Sequence, residues 1–322
     1  PRQMATAWAE SWKLRLSDFR KASESLGLTP WKECSRMLFF RFPPLKELNS
    51  AWDLGIRSFD VSNNYGMGNA ERIVGKVLKD YPREEYVVST KGSWPIGDTP
   101  YHRGLSRKHI LWAFDESMKK MELDYVDIYY AHRYDPETPM EEIVRTFNYL
   151  INSGRVRYWA TSEWPREALE ECHAVCERLG LEKPVLEQCI YSFAVRKTET
   201  NGVKEFCNDN KIGMLGFSPL CQGLLTGKYR NGIPEGSRVA KSKELNYDKT
   251  MNFYHQNKER IDGYLKLCDE YNMCPTDVAI QWGIRKKIYP VLGASKPEQL
   301  IQTVNGLNTV VPEELWEKLE IL

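Results

Sequence analysis

The chain has no run of the roughly 18 to 20 apolar residues that a membrane-spanning helix needs. It also has no excess of charge of one sign. Its 45 Lys and Arg stand against 44 Asp and Glu, a formal net charge of +1. No long-range field therefore draws it onto nucleic acid or an acidic membrane. There is no C-x-x-C pair among its eight cysteines. Cys172, His173 and Cys176 sit within one helical turn, but two thiols and one imidazole read as buried or idle groups rather than a metal site. Scattered free thiols fit a reducing compartment, so a cytoplasmic location is expected. From Leu26 onward, linkers and low-complexity segments are absent too.

What is present is alternation. Short β-rich runs fall near Leu26–Leu28, Ile56–Asp60, Tyr86–Lys91, Val126–Ala131, Val156–Thr161, Val185–Ile190, Ile212–Phe217 and Tyr289–Gly293. Helical patterns lie between them. Ser106 is placed to cap a helix with the inner face Ile110, Ala113, Phe114, Ser117, Met118 and Met121. Another carries Met140, Ile143, Phe147, Leu150 and Ile151 and stops at Gly154. Eight strands alternating with helices predict a parallel sheet closed as a (β/α)8 TIM barrel. An open doubly wound sheet would need a phosphate-binding G-x-G-x-x-G loop after its first strand, and "TPWKECSR" stands there instead. The barrel is assigned to residues 25–322. Residues 1–24, with Ala5, Trp8, Trp12 and Leu16 on one face, are expected to be an N-terminal extension docked on it. Glu10 and Asp18 argue against a transit peptide.

Chemistry in such barrels sits at the C-terminal ends of the strands. Read in order, those ends supply Asp60, Lys91, His132, Ser162, Gln188, Phe217 and Ser295, with Tyr65 in the loop after the second strand. Alone, a strand-end lysine snorkels, an aspartate caps and a histidine hydrogen-bonds at a rim. Together, four groups of complementary chemistry fall at matched positions. Asp60 inside a strand is costly unless paired, and Lys91 on the next strand can reach it. That pair beside Tyr65 would favour tyrosinate and make the phenol a usable acid near neutral pH. His132 could hydrogen-bond the oxygen that gains the proton. Tyr129 and Tyr130, mid-strand, read as packing residues.

Asp60, Tyr65, Lys91 and His132 in this order resemble the catalytic tetrad of the aldo-keto reductases. "GIRSFDVSNNYGMGNAERIVG", "GLSRKHI", "MELDYVDIYYAHRYDPETPMEE", "YWATSEW", "GFSPLCQGLLTGKYRNGIPEGSR" and "VLGASKPEQL" are similar to the branch containing voltage-gated potassium channel β subunits and bacterial glyceraldehyde-3-phosphate reductases. The resemblance implies a bound NADP (NADPH) and a small-molecule carbonyl substrate. Ser162 and Gln188 match residues that hold the carboxamide, and Phe217 matches the aromatic stacked on the nicotinamide. Ser218, Leu220 and Gly223 match the segment over the pyrophosphate. Lys228 and Arg238 match basic residues near the 2′-phosphate, with Lys296 on the neighbouring side of the mouth. Gly293, Ser295 and Gln299 match the phosphate and adenine site. The branch's habit implies a homo-tetramer. There are departures: Glu163 stands for asparagine or arginine, Phe217 for tryptophan or tyrosine, and Thr303 for the asparagine of channel subunits. "LGLTPWKECSRMLFF" is a poor match to the glycine-rich first loop.

The expected activity is NADP-dependent reduction of aldehydes and ketones, with Tyr65 delivering the proton. The alternative is a cofactor-binding regulatory subunit with an ion-channel partner, and His132 leans away from it because channel β subunits tend to have asparagine there. A Schiff-base lyase on Lys91 is a third class. A lysine paired with Asp60 stays protonated and is a poor nucleophile.

Overall fold

The computed structural model describes residues 39–41, 45–241, 247–294 and 296–322. Eight parallel strands close into a barrel in sequence order: β1 (Phe39–Arg41), β2 (Ser58–Asp60), β3 (Val87–Gly92), β4 (Val126–Ala131), β5 (Val156–Ser162), β6 (Leu186–Ile190), β7 (Gly213–Phe217) and β8 (Tyr289–Leu292). Around them run α1 (Leu45–Asp53), α2 (Asn69–Leu78), α3 (Arg107–Met121), α4 (Met140–Asn152), α5 (Arg166–Leu179), α6 (Val203–Asp209), α7 (Pro275–Arg285) and α8 (Pro297–Gly306). The predicted strands from the second to the eighth are all present, with ends within two residues of those expected. The first is different. Leu26–Leu28 lies outside the described residues, and the first position of the barrel is taken by Phe39–Arg41. Closure requires one strand that bonds both neighbours, and Phe40 does so, opposite Phe59 on one side and Leu292 on the other.

Side chains alternate across the sheet wall. One set fills the barrel: Ile128, Tyr130, Ala160, Leu215 and Val291, packed with Val87, Tyr158, Leu186, Phe217 and Tyr289. The other set, including Phe59, Val88, Tyr129, Trp159 and Cys189, joins the core between sheet and helices. Tyr129 packs against Phe114 of α3 and Phe147 of α4 at 4.9 and 5.4 Å between ring centroids. The helices bury the faces their periodicity marks. α3 buries Ile110, Ala113, Phe114, Ser117, Met118 and Met121, and the Ser106 hydroxyl accepts from His109 N at its start. α4 buries Met140, Ile143, Phe147 and Leu150, while Ile151 is only partly buried. α2 and α3 touch backbone to backbone at Gly75, where a Cβ would fall 2.1 Å from the Met121 carbonyl oxygen. Among the described residues no helix is long and apolar enough to cross a membrane.

Candidate active site

Period-two alternation aims Ser58 and Asp60 of β2, Ser89 and Lys91 of β3, Tyr130 of β4, Ser162 of β5 and Gln188 of β6 into the barrel. Strand register then brings them together. Asp60 lies opposite Ser89, Lys91 opposite Tyr130 and Ser162 opposite Gln188. Asp60 and Lys91 are fully buried. Lys91 Nζ donates to Asp60 Oδ2 at 2.5 Å and to the Val61 carbonyl at 2.9 Å. The Ser89 hydroxyl donates to Asp60 Oδ1 at 2.6 Å, and Gln188 Nε2 approaches Oδ2 at 3.3 Å. Each charge thus has an opposite partner and further polar contacts, the condition under which a buried ion pair is tolerated.

Tyr65 is brought to this pair by the loop after β2, which is stitched onto β3 by its backbone. Val61 N–H donates to the Ser89 carbonyl, Asn63 N–H to Lys91, and Tyr65 N–H back to Ser62. The chain then reverses through Gly66, Met67 and Gly68, all at positive φ, and enters α2. Two of the three are glycines, which adopt that conformation at no steric cost. The Tyr65 ring is buried with Lys91 Nζ 5.3 Å from its centroid. The Tyr130 ring centroid lies 5.1 Å from the same ammonium. Burial, and then the nearby Asp60 carboxylate, push the Tyr130 phenol well above its ordinary range, so it stays a neutral packing group, as its mid-strand place suggests.

His132 follows β4 directly, its N–H on the Gly92 carbonyl. The imidazole meets Tyr65 and Trp94 edge to face, at 5.9 and 6.2 Å, and its Nδ1 lies 3.1 Å from Ser62 Oγ. All four of Asp60, Tyr65, Lys91 and His132 are therefore in one cluster. A phenol flanked by a fixed ammonium and an imidazole can give a proton to an oxygen held between them.

Ser162 and Gln188 are buried on adjacent strands, and Arg133 Nη1 donates to Ser162 Oγ at 3.1 Å. Phe217 ends β7 at the rim of the barrel interior. Next comes a turn in which Ser218, Cys221, Gln222 and Gly223 all have positive φ. Leu220 opens its 3-10 segment. Lys228 lies over Gly223, where a Cβ would fall 2.5 Å from its Cε. Lys296 is the N-cap of α8, and Gly293, Lys296 and Gln299 are exposed. The Arg238 side chain and Ser295 lie outside the described residues.

Several contacts were not foreseen in the sequence. Ser89 shares the face of Lys91 two residues away, the one available signal. Ser62, Trp94 and Arg133 sit in loops whose shape the pattern does not specify. Glu163 has a φ of 58°, and its carboxylate accepts from Ile190 N–H at 2.5 Å, tying the end of β5 to β6.

The profile of the aldo/keto reductase family matches residues 44–322. A Schizosaccharomyces pombe protein, provisionally named a voltage-gated potassium channel subunit beta, is 36% identical over 286 residues, covering 85% of this chain and 83% of that one. The Escherichia coli O157:H7 protein named L-glyceraldehyde 3-phosphate reductase is 35% identical over 279 residues, covering 83% and 80%. An Arabidopsis thaliana protein, again provisionally named a channel subunit beta, is 36% identical over 266 residues, covering 80% of each. With a match running from α1 to the last residue, on a closed eight-stranded barrel, this chain belongs to the aldo/keto reductase family.

Proposed function

We propose that this protein is an NADPH-dependent reductase of aldehydes and ketones. One observation carries the reading: the Tyr65 ring lies 5.3 Å from the ammonium of a buried Lys91–Asp60 pair and 5.9 Å from the His132 ring. A bound nicotinamide would supply the hydride. Tyr65 gives its hydroxyl proton to the carbonyl oxygen, and Lys91 stabilises the negative charge left on the phenol oxygen. Asp60 keeps Lys91 charged and fixed, with Ser89 and Gln188 holding Asp60 in turn. His132 orients the carbonyl from the other side and offers a hydrogen bond to the oxygen as charge develops. Trp94 meets the His132 ring edge to face beside it.

The residues fit a dinucleotide. Ser162 and Gln188 would hold the carboxamide, and Phe217 would stack on the ring. The turn containing Ser218, Leu220 and Gly223, with Gly293 and Ser295, would bind phosphate, since turns of this kind expose backbone N–H groups. An ammonium pressed onto the glycine of that turn, as Lys228 is on Gly223, suits an anion. Lys228, Arg238 and Lys296 would meet the 2′-phosphate and Gln299 the adenine. Charge-assisted hydrogen bonds contribute roughly 1.5 to 3 kcal/mol each, so two favour NADPH over NADH by about two to four orders of magnitude. Neutralising Lys228 and Arg238 together should weaken NADPH and leave NADH nearly unaffected. Equal dissociation constants for both cofactors on the unaltered protein would contradict this assignment.

The proposed division keeps residues 25–322 as the reductase barrel and residues 1–24 as an extension. Seven described cysteines are free thiols, which supports a reducing, cytoplasmic setting, and the branch's habit supports a homo-tetramer. A second reading, a cofactor-binding subunit of an ion channel, is favoured by the names of the S. pombe and A. thaliana relatives. His132 weighs against it. A fluorescence titration with NADPH followed by a panel of aldehydes separates the two. Saturable binding with turnover is expected. Tight binding without turnover, together with co-purification of a membrane protein, would favour the channel subunit, and failure to bind NADPH would overturn both.

A further inference from the structure

We propose that Ser62 and Asn64 form a relay that sets which nitrogen of His132 carries a proton. Ser62 is completely buried. Its hydroxyl has three neighbours: Asn64 Oδ1 at 2.7 Å, His132 Nδ1 at 3.1 Å and the Lys91 carbonyl at 3.4 Å. A serine has one proton to give. The shortest contact takes it, so Ser62 donates to Asn64 and presents a lone pair to the imidazole. Nδ1 must then be the donor toward Ser62. A neutral imidazole has a single N–H. With that proton held at Nδ1, Nε2 is a bare acceptor and has nothing to offer a carbonyl oxygen. Only the imidazolium has N–H on both nitrogens. The relay therefore links the hydrogen-bonding power of His132 to its ionisation: the charged form donates, and the neutral form does not.

Other charged and titratable groups also surround His132. Lys91, from β3, is committed to Asp60 on β2. Arg133, on the ring's own loop, donates Nη1 to the His132 carbonyl at 2.6 Å, and its charge opposes an imidazolium. Tyr65, from the β2 loop, meets the ring edge to face, as does the uncharged Trp94 from the β3 loop. Ser62 and Asn64 favour the cation by accepting its Nδ1 proton and passing the polarisation to an amide oxygen. The inference rests on the reading of His132 as the residue that meets the substrate oxygen. Ser62 and Asn64 act through it and are positioning residues.

The two positions make opposite predictions. Ser62→Ala removes the acceptor at Nδ1, so neutral His132 is released to hold its proton on Nε2. Asn64→Asp replaces an amide of either orientation by a group that only accepts, fixing the Ser62 proton away from the ring and adding a negative charge behind it. In the unaltered protein carbonyl reduction should fall as pH rises through the ionisation of His132. Ser62→Ala should flatten that limb, because the released neutral ring still donates from Nε2, and Asn64→Asp should move it to higher pH by about one unit. Ser62→Thr, which keeps the hydroxyl, should restore the original profile. A purely structural role would lower activity in all three and leave the limb in place.

The deciding readout does not depend on turnover. Nitrogen-15 spectra of the histidine ring nitrogens, with His132 identified among the five histidines by its loss in His132→Gln, report the tautomer directly. The neutral ring should be Nδ1–H in the unaltered protein and shift toward Nε2–H in Ser62→Ala. An Nε2–H tautomer in the unaltered protein, or the same tautomer in Ser62→Ala, would overturn the relay. Tautomers as expected without any carbonyl reduction would leave the relay standing and remove the reductase reading instead.

Discussion

Two carboxylates are fully buried in the wall of this barrel, on opposite sides of it, and they are accommodated by opposite means. Asp60 on β2 faces inward, where a lysine, a serine and a glutamine converge on its two oxygens. Glu187 on β6 faces the helix layer, where its Oε1 accepts from Trp164 N–H at 3.3 Å and its Oε2 has no hydrogen-bond partner among the described residues. Burial pushes the Glu187 carboxyl up to about 8, against hydrogen bonds from Thr161 and Trp164 that pull it down. One acid is held against a cation, and for the other the exclusion of water favours the neutral form. A charged pair at the strand ends can act on a reacting proton. A neutral acid behind the sheet is a packing group with a pH-dependent cost.

The largest effect should come from making Asp60 resemble Glu187. Lys91→Met leaves a buried carboxylate without its cation, and breaking such a pair costs about 3 to 5 kcal/mol. Urea unfolding should show that loss, and reduction should fall by orders of magnitude. Asp60→Asn combined with Lys91→Met should regain much of the stability and none of the activity. Stability unchanged in Lys91→Met would mean that the pair is not what holds Asp60.

The second effect concerns Glu187 alone. Its folded value of about 8 lies above the ordinary 4.5, so the folded state holds the proton more tightly than the unfolded chain. The resulting stabilisation is fully present below about pH 4.5, declines as pH rises between the two values, and is gone above about 8. At 1.36 kcal/mol per unit the range is on the order of 5 kcal/mol. Glu187→Gln, with the same shape and no titration, should flatten the fall in melting temperature between pH 5 and 8. An identical fall in the variant would place the cause elsewhere.

The smallest effect serves as a control on both. Ser106→Ala removes a helix cap remote from either acid and should cost about 1 kcal/mol at every pH. A pH-dependent loss there would undermine the Glu187 account.

Much of this comparison could be read in advance, and the rest could not, for physical reasons. Helix faces such as Ile110, Phe114 and Met118 follow from a 3.6-residue period, and Asp60 and Lys91 stand out because charge inside an apolar strand demands a partner. β1 was missed because three residues, Phe39–Arg41, are too few to show a period and are followed by Pro43 and Pro44. Ser89 and Ser62 escaped notice because a serine is unremarkable until register places it against a carboxylate or an imidazole. Glu187 reads as one more polar residue beside Gln188; only the alternation across β6 shows that one faces the site and the other the helices. The departure at Glu163 was visible, but its bond to Ile190 depends on the pairing of β5 with β6. Ser295, the Arg238 side chain and the N-terminal extension lie outside the described residues.

The central claim is that the inward cluster is built for proton delivery, with Tyr65 as the donor. Tyr65→Phe removes one oxygen and keeps the ring against Lys91 and His132. Its purified form should lose about two to four orders of magnitude in the rate of NADPH-driven aldehyde reduction, with NADPH affinity within a few-fold and thermal stability close to the unaltered protein. Near-original turnover in Tyr65→Phe, with the cofactor still bound, would contradict the account.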